Sequence, residues 1–124
     1  MRNGGTMYRY LIGDCKEAQA VAKEIYSDII TIDDAQCLSD MLTKEMGWPK
    51  VEVVKGREAK NQHGSIKNVT SPHPTMILNK PSVGCVIHEL SHCSHRDTGT
   101  RVSLHNATFK SAQRYMLRRW LGRD

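Results

Sequence analysis

The sequence contains no long hydrophobic run. One of its longest apolar stretches covers residues 83–87 and includes a glycine, whereas a membrane-spanning helix needs roughly 20 apolar residues. The N-terminal segment MRNGGTMYRYLIG also lacks the continuous apolar core and the small-residue cleavage site of a secretory signal. These two absences exclude a membrane helix and predict a cytoplasmic protein without a membrane partner.

Cysteine is sparse, and the chain has only four: Cys15, Cys37, Cys85 and Cys93. Without a secretory signal these are expected to be reduced thiols and not disulfides. Hydrophobic residues make up 39% of the chain and charged residues 25%, which is typical of a soluble globular protein and not of a disordered one. A length of 124 residues leaves room for one core, so a single domain over residues 1–124 is predicted.

Acidic residues become rare towards the C-terminus. From Arg96 onward the chain has seven basic residues and only two acids, Asp97 and Asp124, within a net charge of +5. A basic segment of this kind attracts nucleic acid or an acidic protein, although a solvated helix face has the same composition. The sequence therefore raises the possibility of a weak nucleic-acid contact, carried by Arg114, Arg118 and Arg119.

Hydrophobic spacing predicts an α+β fold with four helices and a small sheet. The first helix covers residues 14 to about 30, and the second begins at an Asp33 N-cap and stops at Gly47. Three short runs, KVEVVKG, GSIKNV and TMILN, predict three strands in an antiparallel or mixed sheet. Two further helices are predicted in PSVGCVIHELSHC and LHNATFKSAQRYMLRRWLG. The buried face of the last helix is predicted to contain Phe109, Ala112, Met116 and Trp120.

The pentapeptide His88-Glu89-Leu90-Ser91-His92 is the strongest chemical signal in the chain. Residues four apart on a helix lie on the same face, so His88 and His92 can direct imidazole nitrogens at one metal ion. Glu89 is close enough to accept a proton from a water on that ion without binding the ion itself. The apolar residues on the opposite face would turn this side of the helix into a cleft, and the preceding strand TMILN could lie beside the metal as an edge strand that pairs with an extended peptide.

A catalytic zinc generally has three protein ligands and one open position. The pattern H-E-x-x-H-x-x-G-x-x-H is absent, and no glutamate follows Glu89, so the third ligand must be of another kind. His95, Asp97 and His105 are the remaining candidates. We favour His105, because it opens the last helix at a place where the chain can fold back and where Phe109 can anchor it.

Other arrangements of the same residues remain open. A closed structural site with Cys85, His88, His92 and one more ligand would exclude water and abolish hydrolysis. The donor that stabilises an oxyanion could be Tyr115, Arg101 or His95, and the residues do not decide between them. His63 and His73 fall in polar loops and are expected at the surface.

The two segments VIHELSHC and LHNATFKSA resemble the SprT-like and related minimal zincins, and also a group of small metallohydrolases of bacteria and phages. In these proteins an H-E-x-x-H helix is followed by a histidine in an H-G-x-x-F setting. The resemblance covers residues 50–121, with Asn106 in place of the glycine. It implies a minimal zincin-like fold, zinc bound by His88, His92 and His105, and Glu89 as the catalytic base.

The sequence thus predicts a zinc-dependent metallopeptidase that acts on protein or peptide substrates. The alternative is a module that binds nucleic acid or protein, with a structural or vestigial metal site and the basic last helix as its working surface. A third hypothesis keeps the hydrolytic site and assigns it a non-peptide amide substrate.

Overall fold

The computed structural model describes residues 28–57, 63–96 and 105–121, and this part of the chain has the predicted α+β composition. None of its helices combines the length and the apolar character needed to cross a membrane. The elements in chain order are helix α1 (Ile32–Met46), strands β1 (Glu52–Lys55), β2 (Gly64–Lys67) and β3 (Thr75–Leu78), helix α2 (Val83–Ser91), a 3-10 helix (His92–Arg96) and helix α3 (Ala107–Leu121).

Helix α1 begins two residues earlier than predicted. The side chain of Thr31 accepts a hydrogen bond from the Asp34 N–H at 3.0 Å, so Thr31 is the N-cap and the prediction of Asp33 is wrong. Asp33 lies in the first turn instead, where a carboxylate is favoured by the helix dipole. The predicted stop is confirmed, because Gly47 adopts a left-handed conformation with φ of 74°, which glycine tolerates without a Cβ clash.

The first predicted helix lies almost wholly outside the described residues. Its predicted end near residue 30 is wrong, because Ile29 forms an isolated antiparallel bridge with Ser82. The Ile30 N–H also donates to the Pro81 carbonyl at 3.0 Å. This backbone pairing holds the chain before α1 against the chain before α2.

The three strands form a mixed sheet in the order β1-β3-β2. β1 is parallel to β3, with Val53 opposite Met76, and β2 is antiparallel to β3, with Ile66 opposite the same Met76. β3 is therefore the central strand, and the prediction of TMILN as an edge strand is wrong. The edge strands are β1 and β2.

The outer edge of β1 is covered by a side chain of α1. The Gln36 carbonyl oxygen accepts from the Val53 N–H at 2.8 Å, and its amide nitrogen donates to the Val51 carbonyl at 2.9 Å. This amide makes the two hydrogen bonds that a neighbouring strand would otherwise make. In the described part of the chain, no strand pairs with the outer edge of β2.

Helix α2 lies at the centre of the structure, because it packs against α1, α3, β2 and β3. Ser82 caps its start by accepting from the Cys85 N–H at 3.0 Å. The face predicted to be apolar is largely buried, with Val86, Ile87 and Leu90 all at 0% exposure. Their burial fixes which way the opposite face of α2 points.

Helix α3 packs against α2 and the 3-10 helix. Phe109, Ala112 and Met116 are buried as predicted, whereas Trp120 is 39% exposed and the prediction that it fills the core is wrong. Trp48, in contrast, is partly buried against the core. Leu117 and Gln113, both at 0% exposure, complete the buried face of α3.

Candidate metal centre

Helix α2 and the turn that follows it position two histidines. His88 lies in the last full turn of α2, and His92 is the C-cap residue, with right-handed helical φ and ψ of -65° and -21°. The backbone is therefore helical up to His92, so the two histidines lie on the same face. Their ring centroids are 5.4 Å apart. His92 is buried and His88 is partly buried.

His105 joins this pair from the other side of the fold. It stands just before α3, whose N-cap Asn106 accepts from the Phe109 N–H through its side-chain oxygen at 3.1 Å. The ring of His105 lies 5.2 Å from that of His88 and 5.0 Å from that of His92. One nitrogen atom from each of the three rings falls in a group whose members are within 4.8 Å of one another. The three histidines lie close enough to bind one metal ion.

A single aromatic ring packs against all three histidines. The Phe109 centroid is 5.2 Å from that of His88 and 4.7 Å from those of His92 and His105. Phe109 is itself fully buried, and it also stacks with His95 at 6.5 Å and an interplanar angle of 19°. Because its rotation is restricted by this packing, Phe109 limits the positions that the histidine rings can adopt.

The environment favours neutral imidazoles. Burial, with smaller contributions from His92 and His105, lowers the pKa of His88 to about 3. Partial burial, followed by the charges of His95 and Lys110, also lowers the pKa of His105. A histidine must be neutral to bind a metal, so both side chains are in the binding form at neutral pH.

Glu89 lies beside His88 in the sequence and is 7% exposed. Burial raises its pKa from the ordinary value of 4.5 to about 7. A carboxylate with a pKa near neutrality can accept a proton and return it, which is the property of a general base that also acts as an acid. The position of Glu89 next to His88 in the sequence makes this shift chemically relevant.

The other candidates for the third ligand and for a closed site do not join the cluster. His95 is buried in the 3-10 helix with its ring 6.0 Å from that of His92, and it is not a member of the three-histidine group. Cys85 is also outside the group. Burial, with Glu89 adding to it, raises the pKa of the Cys85 thiol, whereas a metal ligand needs the thiolate. Asp97 lies outside the described residues.

Of the three candidate oxyanion donors, the structure describes Tyr115 and His95. Tyr115 is 44% exposed, and its hydroxyl donates to the Glu45 carboxylate at 2.8 Å, so it is on the outer side of α3. Arg101 lies outside the described residues. His73 is exposed, as predicted, whereas His63 is only partly exposed.

The basic residues of the C-terminal third divide into different roles. Arg96 donates to the carbonyls of Val69 and Ser71 at 2.6 and 3.1 Å, so it ties the 3-10 helix to the loop between β2 and β3. Arg114, Arg118 and Arg119 are exposed on α3, and Arg119 forms an ion pair with Glu45 at 3.5 Å.

Gln113 is a site residue that the sequence patterns did not single out. It is fully buried, and its amide nitrogen lies 3.4 Å from His88 Nδ1. The signal was available, since Gln113 follows Phe109 by four residues and therefore lies on the same face of α3. A polar residue on a face otherwise predicted to be apolar could have indicated a partner in the site.

The three histidines lie together, with the amide of Gln113 next to His88. Glu89 is buried and follows His88 in the sequence. Comparison with protein families, with characterised proteins and with solved structures found no match. The functional conclusion therefore depends on the geometry and the chemistry of these residues.

Proposed function

We infer that the protein is a zinc-dependent metallopeptidase of the minimal zincin type. The observation that carries this proposal is the group of three histidine nitrogens, from His88, His92 and His105, within 4.8 Å of one another. Three imidazoles are a ligand set typical of catalytic zinc, which keeps a fourth position for water or substrate. The neutral state favoured for His88 and His105 suits this role.

The accessibility of the cluster supports a catalytic centre over a closed structural one. His105 is exposed, whereas His92 is buried, so the group has one side at the protein surface and one side against the core. A fourth protein ligand is not part of the group among the described residues. Such an ion, when bound, polarises a carbonyl and lowers the pKa of a bound water towards about 7.

Glu89 is the proposed general base. Its carboxylate accepts a proton from the water that attacks the peptide carbonyl and donates this proton to the leaving amine. The pKa of about 7 lets the same group perform both transfers near neutral pH. Burial of Glu89 also keeps its charge from being screened by solvent.

The sheet supports a peptide substrate. Gln36 covers the outer edge of β1, while β2 has an outer edge with no paired strand among the described residues and packs against α2, the helix with the histidines. Gly64 lets β2 pack closely against α2, because a Cβ at this position would lie only 3.0 Å from Cys85 Sγ. An extended peptide can pair with β2 and so reach the centre.

The variant Glu89→Gln tests this proposal. It should keep zinc at one equivalent per chain and lower hydrolysis of a fluorophore-labelled, denatured casein by about 10²–10⁴-fold. Glu52→Gln, a change of an exposed carboxylate on β1, is the matched control and should retain activity. Peptidase activity that is unchanged in Glu89→Gln would contradict the assignment, as would a wild-type chain that binds no zinc.

A second candidate function is binding of nucleic acid through α3, favoured by the exposure of Arg114 and Arg118. If this surface binds phosphates, replacing both arginines and Arg119 by alanine reduces the slope of log affinity against log salt by about 1 for each phosphate that is no longer neutralised. Fluorescence anisotropy with a labelled DNA duplex measures this slope. Equal slopes for the wild type and the triple variant rule this function out.

A further inference from the structure

Gln113 has an unusual place for a glutamine. It lies on the face of α3 that also includes Phe109, Met116 and Leu117, and all four side chains are at 0% exposure. Its amide nitrogen is 3.4 Å from His88 Nδ1, while its carbonyl oxygen has no hydrogen-bond partner among the described residues. A buried polar atom of this kind normally has a partner.

The tautomer of His88 decides which end of the amide can pair with it. If the amide nitrogen donates to Nδ1, the neutral ring has its proton on Nε2 and offers no Nε2 lone pair to a metal. If the ring binds a metal through Nε2, the proton is on Nδ1, and this N–H needs an acceptor. The two ends of the amide are nearly the same size, so a half-turn of the Gln113 amide places its carbonyl oxygen against Nδ1.

We propose that Gln113 is the positioning residue for His88, with its amide oxygen accepting the Nδ1–H and so directing Nε2 at the metal. This proposal rests on the proposed metal centre and extends it by one residue. The half-turn pairs the carbonyl oxygen that otherwise has no partner among the described residues. It also makes a residue of α3 responsible for the orientation of a ligand on α2.

Two near-isosteric substitutions separate this role from packing. Gln113→Met fills a similar volume but offers no acceptor for a ring N–H, whereas Gln113→Glu keeps an acceptor oxygen. We expect Gln113→Met to weaken zinc affinity about 10–100-fold and Gln113→Glu to bind zinc at least as tightly as the wild type. Competition with a chromophoric chelator measures the affinity, and Met116→Leu, a change at another buried position of α3, serves as the matched control.

The pattern of the two variants decides the outcome. A purely structural role predicts that Gln113→Met binds zinc like the wild type, or that both Gln113 variants lose affinity together, and either result overturns the proposal. The thermal midpoints of the metal-free proteins establish that each variant is folded. The test measures zinc affinity and not peptidase activity. A wild type that binds zinc without hydrolysing peptides would therefore contradict the proposed function but would not affect this test.

A second measurement needs no variant. In the zinc-loaded wild type, long-range ¹⁵N–¹H correlation spectra should show His88 with its proton on Nδ1, in slow exchange with solvent because of burial and the hydrogen bond. Absence of the Nδ1–H signal, with the proton found on Nε2, would show that the ring binds through Nδ1 and would overturn the proposal.

Discussion

The two faces of α3 differ in what their side chains contact. On the inner face, Phe109 packs against three histidines and Gln113 approaches His88. On the outer face, Arg114 and Arg118 are exposed, and Tyr115 donates to Glu45 on α1. The inner face brings several chemical groups to one point, whereas the outer face distributes charge over a surface.

This difference separates the two functional hypotheses. A metal centre needs a convergent geometry, and the inner face supports one through side chains that come from several elements. A basic helix face without such convergence is also what a solvated surface helix looks like. The peptidase proposal therefore has the stronger support, and the contrast between the faces can be tested one residue at a time.

The largest effect is expected from the two aromatic residues on opposite faces of α3. Phe109→Ala removes a fully buried ring and should lower the free energy of unfolding by about 3–5 kcal/mol, because less apolar surface is buried and a cavity remains. Tyr115→Ala, at 44% exposure, is the control and should have a much smaller effect. Urea denaturation of the metal-free proteins measures both. Similar losses of stability for the two variants would remove the energetic contrast between the faces.

The next effect concerns His105, the proposed ligand that stands just before α3. At a zinc concentration of about 100 times the dissociation constant, metal binding should stabilise the wild type by about 2.7 kcal/mol. His105→Ala should lose most of this stabilisation, because only two ligands remain. His73→Ala, a change of an exposed loop histidine, should keep it. Thermal unfolding with and without zinc measures the gain, and an undiminished gain in His105→Ala would exclude His105 as a ligand.

Local sequence rules explain why part of this site could be predicted. His88 and His92 converge because residues four apart share a helix face, and that relation depends on nothing outside α2. The C-terminal stop of α1 at Gly47 is local in the same sense. The sequence favours His105 over His95 and Asp97 only indirectly, because a turn lets the chain fold back there and Phe109 can anchor it. The structure groups His105 with the other two histidines.

The features that the sequence did not reveal depend on long-range contacts. The order β1-β3-β2 cannot be read from strand patterns, because TMILN has the same composition at an edge or in the centre. The sequence could not distinguish Thr31 from Asp33 as the cap of α1, because both residue types are good N-caps. Trp120 has the helical spacing of a core residue, but the sequence around it does not show that the buried face of α3 ends before this residue.

The smallest effect is expected on the outer face, from the ion pair of Arg119 and Glu45 at 3.5 Å. Exposed pairs of this kind contribute about 0.2–1 kcal/mol, so a double-mutant cycle with Arg119→Ala and Glu45→Gln should give a coupling energy in this range that decreases in high salt. The same variants should leave zinc affinity unchanged, because neither residue belongs to the three-histidine group. Zinc affinity that changes with Glu45 or Arg119 would mean that the two faces of α3 are coupled. The outer surface would then act on the metal centre through the helix, and the division between the faces would fail.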